Sequence, residues 1–192
     1  MILYINACVR RESRTKLLAD HLLGLIGGKA GEEVQELRLE EIRFPVADQA
    51  FLNRRDALIS AGRFDDPLFA PARQFAAADT ILIAAPFWDL SFPSMLKQYF
   101  GQINVTGITF EYRNDIPHGL CKAQRLYYVT TAGGPIFNEE YGFGYVKGLA
   151  QNFYGIRDVK GFRAENLDIM GADVKEILEK TMKEMEEAET KG

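Results

Sequence analysis

The chain has 192 residues, of which 47% are hydrophobic and 26% are charged, and its formal net charge at pH 7 is −4. A chain of this length can bury a substantial core, and we expect one domain over residues 1–192. The negative charge gives no general attraction for nucleic acid, and no apolar stretch approaches the ~18 residues needed to span a membrane. Two cysteines without metal-ligand spacing predict neither a disulfide framework nor a metal site, which favours a cytoplasmic protein.

The N-terminal segment has the pattern of a strand, a polar loop and an amphipathic helix. Residues 2–5 are a short apolar run, and the polar loop over residues 6–15 contains Arg10 and Arg14. Ser13 stands where its side chain would cap the helix that follows. Backbone N–H groups at a helix N-terminus present the positive end of the helix dipole. The segment therefore predicts an anion site, most simply for a phosphate.

Strands and helices alternate along the rest of the chain. The predicted strands are apolar or alternating runs at residues 2–5, 33–39, 80–85, 125–131 and 159–164. The predicted helices cover residues 17–26, two pieces between 42 and 78, and residues 91–103, 145–153 and 172–187. We expect Gly27 and Gly28 to end the first helix, and Asp66 and Ser91 to cap later ones. The alternation predicts a doubly wound α/β fold with a five-stranded parallel sheet.

Three turns with unusual chemistry each follow a predicted strand, at residues 8–15, 86–90 and 131–134. In doubly wound sheets a ligand binds beyond the carboxyl ends of the strands, so we expect one large ligand to touch all three turns. The aromatic pair Phe87-Trp88 and the glycines of the third turn favour a flat ring there. Flavin mononucleotide (FMN) has this shape, with a phosphate for the first turn.

The run from Pro86 to Tyr112 is similar to a known family. It contains PFWDLSFPSMLK at residues 86–97 and GITFEY at residues 107–112. These residues resemble the flavodoxin-like NAD(P)H-dependent FMN oxidoreductases of the azoreductase and quinone reductase group, and the similarity extends over most of the chain. The resemblance implies a flavodoxin-like sheet with strand order 2-1-3-4-5 and helices on both faces. It also implies a homodimer with a flavin site at each end of the interface.

The same resemblance implies which residues contact the cofactor. Residues matching Ser13, Arg14 and Thr15 hold the phosphate, and those matching 87–90 and 131–134 line the isoalloxazine ring. The complete predicted set is Cys8, Arg10, Ser13, Arg14, Thr15, Pro86, Phe87, Trp88, Asp89, Leu90, Thr131, Ala132, Gly133 and Gly134. We expect no obligatory protein acid or base, because FMN would carry electrons from NADH or NADPH to a quinone, an azo compound or a similar flat acceptor.

The first loop departs from the family pattern, and two alternatives to the oxidoreductase function stay open. Cys8-Val9-Arg10 stands where the family commonly has Ser-Pro-Arg, and a thiol is a weaker hydrogen-bond donor than a hydroxyl. Cys8 and Arg14-Thr15 also match the Cys-x5-Arg-Ser/Thr loop of low-molecular-weight tyrosine phosphatases, in which Cys8 would be the nucleophile. A flavodoxin that only carries electrons would share the fold. The long connection over residues 42–78 instead favours a walled substrate pocket.

Overall fold

A central parallel sheet organises the structure, a computed structural model that describes residues 1–27 and 32–190. The strands of the described residues are β1 (Ile2–Asn6), β2 (Val34–Arg38), β3 (Thr80–Ala84), β4 (Phe110–Arg113), β5 (Ile116–Gly119), β6 (Arg125–Thr131) and β7 (Asp158–Ala164). The sheet has five strands in the order β2-β1-β3-β6-β7, and all neighbours pair in parallel. Numbered by themselves, these strands follow the order 2-1-3-4-5. The predicted flavodoxin-like topology is therefore confirmed.

Helices cover both faces of this sheet. They are α1 (Arg14–Ile26), α2 (Gln49–Ser60), α3 (Ala70–Ala77), α4 (Ser94–Ile103), α5 (Tyr145–Leu149) and α6 (Val174–Thr190). Successive residues of a strand point to opposite faces, so the core has two layers. Tyr127 packs in the layer under α1 and α6, whereas Tyr128 packs in the layer under α3, α4 and α5. No helix of the described residues is both long enough and apolar enough to cross a bilayer.

The cap of the first helix agrees with the sequence prediction. The Ser13 hydroxyl accepts a hydrogen bond of 3.2 Å from the Lys16 N–H at the start of α1. At the other end, the Gly27 N–H donates to the Leu23 carbonyl at 2.8 Å. Gly28 lies outside the described residues. The Ser13 cap therefore fixes where α1 begins, at the loop that is predicted to bind the phosphate.

Two other helix starts differ from the prediction. The segment from residue 42 is not helical until Gln49, where Asp48 caps α2, although Asp66 does cap a short 3₁₀ turn at Pro67–Phe69 as expected. Ser91 was expected to cap α4, and this expectation is wrong. Pro93 occupies the cap position, and the Ser91 hydroxyl instead donates to the Tyr141 carbonyl. The Ser91 side chain thus ties the turn after β3 to the segment before α5.

The antiparallel hairpin formed by β4 and β5 was not predicted. Its turn has Asn114 and Asp115 at φ 50° and 62°, the left-handed values that a two-residue hairpin turn requires. The hairpin leaves the sheet, and its Tyr112 and Ile116 side chains are exposed. Gly119 anchors it, because a Cβ at this position would lie 2.1 Å from the Gly155 backbone nitrogen.

Candidate functional site

A cavity of about 530 Å³ lies at the carboxyl ends of β1, β3 and β6. The three turns that follow these strands form most of its wall, and the segment after β7 completes it. The lining residues are Val9, Arg10, Glu12, Ser13, Arg14, Thr15, Pro86, Phe87, Trp88, Thr131, Ala132, Gly133, Leu167 and Asp168. This is the edge at which doubly wound sheets bind ligands. The fold thus brings together the three turns singled out in the sequence.

Four of the predicted contact residues do not line this cavity. They are Cys8, Asp89, Leu90 and Gly134; the other predicted residues all do. Sequence reasoning in turn missed four lining residues, namely Val9, Glu12, Leu167 and Asp168. Leu167 and Asp168 follow the last strand of the sheet, whose carboxyl end meets the same edge as the others. This rule could have pointed to the two residues from the sequence, whereas their residue types alone indicate no ligand contact.

A pair of hydroxyl groups joins two of the turns. The side chains of Thr15 and Thr131 are hydrogen-bonded at 2.7 Å between their Oγ1 atoms. Thr15 is buried at the first turn of α1, and Thr131 ends β6. Each hydroxyl satisfies the other, so a polar contact is retained at the floor of the cavity without a buried unpaired group. The contact fixes the N-terminus of α1 relative to the third turn.

An ion pair stands at the rim of the cavity. The Arg14 Nη1 atom donates to Asp168 Oδ1 at 2.7 Å and to the Leu167 carbonyl at 3.3 Å. The two side chains are 43% and 69% exposed, so the pair itself contributes little to the free energy of folding. Gly133 makes room for the carboxylate, because a Cβ there would lie 2.4 Å from Asp168 Oδ2. The arrangement keeps a guanidinium beside the N-terminus of α1.

The turn after β3 is held in a conformation that its residues disfavour. Trp88 and Ser91 exchange two backbone hydrogen bonds, at 3.1 and 2.8 Å. Asp89 and Leu90 between them have φ angles of 50° and 65°, which cost a non-glycine residue roughly 1–2 kcal/mol each. The half-exposed Trp88 lines the cavity, and the exposed Leu90 follows it in the same turn. Backbone strain of this kind is concentrated at ligand sites.

Cys8 is buried and does not line the cavity. Its N–H donates to Asn6 Oδ1 at 2.9 Å, and its Sγ lies 3.8 Å from the Ala84 carbonyl oxygen in the core layer under α1. Burial raises the pKa of the thiol to about 11, so it is protonated near neutral pH. A phosphatase nucleophile needs an accessible thiolate. The structure therefore disfavours both the phosphatase alternative and a phosphate contact from this side chain.

The first prediction concerns the reactivity of this thiol. In a Cys121→Ser background, iodoacetamide should alkylate Cys8 at neutral pH at least about 100-fold more slowly in the folded protein than in urea. A pKa of about 11 in place of 9.0 leaves that much less thiolate, and burial slows access further. Mass spectrometry of time points measures both rates. Equal rates in the two states would indicate an exposed thiolate and restore the phosphatase hypothesis.

The residues at the site contain no metal centre: within residues 1–27 and 32–190, no group of three or more His, Cys, Asp or Glu side chains is arranged to hold an ion. What the wall provides is a helix N-terminus with two arginines at one end and aromatic side chains at the other. Such a wall suits an elongated ligand with a phosphate and a flat ring.

Comparisons with known proteins identify the family. A family model described as the flavodoxin-like fold matches residues 1–188. An FMN-dependent NADH:quinone oxidoreductase of Lachnoclostridium phytofermentans is 37% identical over 182 residues, covering 90% of this chain and 89% of that protein. One of the same name from Coprothermobacter proteolyticus is 33% identical over 194 residues, covering 97% and 96%. The crystal structure of an FMN-dependent NADH-azoreductase from Bacillus anthracis in complex with FMN gives a TM-score of 0.83 at 25% identity, covering 99% of this chain and 97% of that one. The chain therefore belongs to the flavodoxin-like family that contains these quinone oxidoreductases and azoreductases.

Proposed function

We propose that this protein uses NADH to reduce a quinone, an azo compound or a similar flat acceptor, with FMN held in the 530 Å³ cavity. The observation that carries the proposal is the cavity wall, in which a capped helix N-terminus with Arg10 and Arg14 faces a turn with Phe87 and Trp88. The volume lies within the range of about 300–1,000 Å³ that is usual for cofactor sites. Relatives that cover most of the chain bear the name of this activity.

The phosphate of FMN would bind at the loop before α1. The Ser13 oxygen accepts the capping hydrogen bond, and its O–H group can donate to a phosphate. Arg14 and Arg10 offer charged donors, which form stronger hydrogen bonds to phosphate than neutral groups do. The helix dipole adds to the positive potential. This local charge contrasts with the net charge of −4 of the whole chain.

The ring of FMN would lie between the second and third turns. Phe87 and Trp88 offer aromatic surface, and Ala132 and Gly133 line the cavity without bulky side chains. When bound, FMN supplies the hydride and electron-transfer chemistry, so the protein needs to position reactants and exclude water. Asp89, Leu90 and Gly134 adjoin lining residues, and we propose that they contact the outer edge of the ring. We also propose a cytoplasmic location, which two free cysteines favour.

The activity is tested by spectroscopy and steady-state kinetics on the purified protein. We expect a flavin absorbance spectrum and NADH oxidation that depends on an added quinone, with parallel initial-rate lines because donor and acceptor use the same site in turn. Aryl phosphate hydrolysis serves as the control activity. A flavin spectrum without NADH turnover would support the electron-carrier alternative, and phosphatase activity without flavin would overturn the proposal.

The phosphate site is tested by Arg14→Ala. Loss of a charged hydrogen-bond partner should weaken FMN binding by about 1.5–3 kcal/mol, which is roughly ten- to a hundredfold in Kd. Riboflavin, which lacks the phosphate, should bind the variant and the wild type equally. Fluorescence titration with the two flavins measures all four constants. Equal losses for FMN and riboflavin would show that Arg14 does not contact the phosphate.

Two further variants control this experiment. Arg11→Ala removes an arginine of the same loop that does not line the cavity, and it should leave the Kd of FMN nearly unchanged. Asp168→Asn removes the carboxylate that competes with phosphate for Arg14 and repels it. This change should tighten FMN binding by up to about fivefold, the value of an exposed ion pair of 0.2–1 kcal/mol, with no effect on riboflavin. Weaker FMN binding in Asp168→Asn would show that the carboxylate serves only to orient Arg14.

We propose that the protein is a homodimer whose interface adjoins the cavity. Large apolar side chains are exposed on the turn after β3, on the hairpin of β4 and β5 and on the segment between β6 and α5. They include Trp88 at 38%, Leu90 at 60%, Tyr112 at 57%, Ile116 at 61%, Phe137 at 89% and Tyr141 at 57% exposure. Clustered exposed apolar groups are typical of surfaces that a partner covers. A second copy of the chain would bury them and shield the reacting ring from water.

The dimer is tested by sedimentation velocity on the flavin-loaded protein. We expect a dimer for the wild type, and a shift toward monomer for Phe137→Asp because the interface would have to bury a charge. Leu17→Asp is the matched control, since Leu17 is half-exposed on α1 and does not line the cavity. A wild-type monomer with full flavin and full activity would contradict the proposal.

A further inference from the structure

A second, smaller cavity of about 300 Å³ lies beside the flavin cavity. Aromatic rings form much of its wall, contributed by Phe87 from the turn after β3, Tyr128 from β6 and Phe143 from the segment before α5. Phe162 from β7 also lines it, although the Phe162 ring stacks on Tyr127 on the other face of the sheet. Phe87 lines both cavities, but no residue of the loop before α1 lines the smaller one. The smaller cavity is therefore a separate site that shares one wall with the flavin cavity.

Two buried hydroxyl groups in this cavity have no hydrogen-bond partner. Tyr128 is 1% exposed and Thr130 is 4% exposed, and neither hydroxyl forms a hydrogen bond with any described residue. A buried polar group without a partner costs roughly 1–3 kcal/mol, so folded proteins seldom leave two of them together. Burial raises the pKa of Tyr128 more than the neighbouring Thr130 side chain lowers it, which keeps the Tyr128 hydroxyl protonated as a donor. The two hydroxyl groups could therefore donate hydrogen bonds to a ligand in the cavity.

The walls select a flat occupant. The rings of Tyr128 and Phe143 are nearly parallel, with 5.8 Å between their centroids and 29° between their planes. Gly161 permits this, because a Cβ there would lie 2.8 Å from Phe143 Cζ. Gly142 leaves space next to the polar end, since its Cβ position is 3.8 Å from the Phe87 ring and 4.0 Å from the Tyr128 hydroxyl. At this separation the two rings pack on each other and form one continuous aromatic surface, on which an aromatic ring stacks better than an aliphatic chain.

The charges near the cavity exclude an anion. Arg163 lines the cavity but is paired with Glu139 and, at 2.8 Å, with Glu165. Glu165 also accepts the Ile136 N–H at 2.8 Å, which holds the covering segment in place. Glu184 lines the same cavity. One guanidinium thus faces three carboxylates, so a negatively charged ligand would be repelled and a neutral acceptor is favoured.

We propose that this cavity binds a neutral, planar aromatic compound of one or two rings through a carbonyl oxygen that accepts hydrogen bonds from Tyr128 and Thr130. The ligand contacts Phe87, which lines both cavities, and so changes the binding of FMN in the larger cavity. The coupling to flavin rests on the proposed function, whereas the binding of the aromatic carbonyl compound does not. The site acts as an effector site, distinct from the place where the acceptor meets the flavin.

The experiment uses benzamide as the probe. Saturation-transfer NMR measures benzamide binding to the protein as purified and to the protein saturated with FMN. Benzamide should bind both forms, and FMN should not displace it. Tyr128→Phe and Thr130→Val each remove one hydroxyl with little change of shape. Each should weaken benzamide binding by about two- to tenfold, the value of one neutral hydrogen bond. The double variant should weaken it further.

Further variants separate this site from others. Gly142→Ala should weaken benzamide binding by narrowing the polar end, whereas Gly148→Ala, where no atom lies within 4 Å of the Cβ position, should not. Melting temperatures check that each variant is folded. Binding that is insensitive to both hydroxyl substitutions, that FMN displaces, or that is undetectable at millimolar probe would overturn the proposal and leave ordered water as the occupant.

The outcome is independent of the flavin chemistry. If the protein lacks FMN and NADH turnover but benzamide binding depends on Tyr128 and Thr130, the proposed function fails and the site stands. If turnover is present and benzamide binding ignores both hydroxyls, the site fails and the function stands. A change in the Kd of FMN on addition of benzamide, lost in Thr130→Val, measures the coupling through Phe87; an unchanged Kd would remove the effector role.

Discussion

The register of the parallel sheet is the constraint on which the site depends. Backbone hydrogen bonds continue beyond the ends of the strands, from Ala7 N to the Ala84 carbonyl at 2.8 Å and from Phe87 N to the Thr131 carbonyl at 3.0 Å. These hydrogen bonds hold each turn against its neighbour at the point where the chain leaves the sheet. A slip of one residue would exchange the two faces of a strand and remove the side chains from the cavity. The three turns that line the larger cavity are therefore positioned by backbone hydrogen bonds before any side chain contributes.

The β6 strand serves two sites because its side chains alternate between the faces of the sheet. Thr131 points toward α1, where it pairs with Thr15 at 2.7 Å in the wall of the larger cavity. Thr130 points to the other face, where its hydroxyl has no partner among the described residues. Adjacent residues of one chemical type thus have opposite hydrogen-bonding states. Packing accounts for the satisfied pair, and an occupant of the smaller cavity accounts for the unsatisfied one.

Local signals in the sequence predicted the elements that local forces determine. The apolar run at residues 80–85 predicted a buried strand, and Ser13 predicted a helix cap, because both depend on residues nearby in the chain. Ser91 resembled a cap equally well, yet its hydroxyl bonds to Tyr141, fifty positions away in the chain. The hairpin turn at Asn114-Asp115 carried a usable signal in two residues that tolerate positive φ. Asp168 carried no local signal, since it reaches the cavity only because the carboxyl ends of the strands meet there.

Cys8 shows why a motif predicts less than the fold around it. Its spacing to Arg14 matches a phosphatase loop, and both residues follow the first strand as that chemistry requires. The direction of the side chain decides the outcome. Residues 4 and 8 of the chain both face α1, so the thiol of Cys8 enters the core layer with Tyr4, where burial raises its pKa to about 11. The same loop presents Arg14 and Ser13 to the cavity. Burial of the thiol just beyond β1 therefore leaves the loop with its anion-binding groups but without the accessible thiolate that a cysteine phosphatase needs.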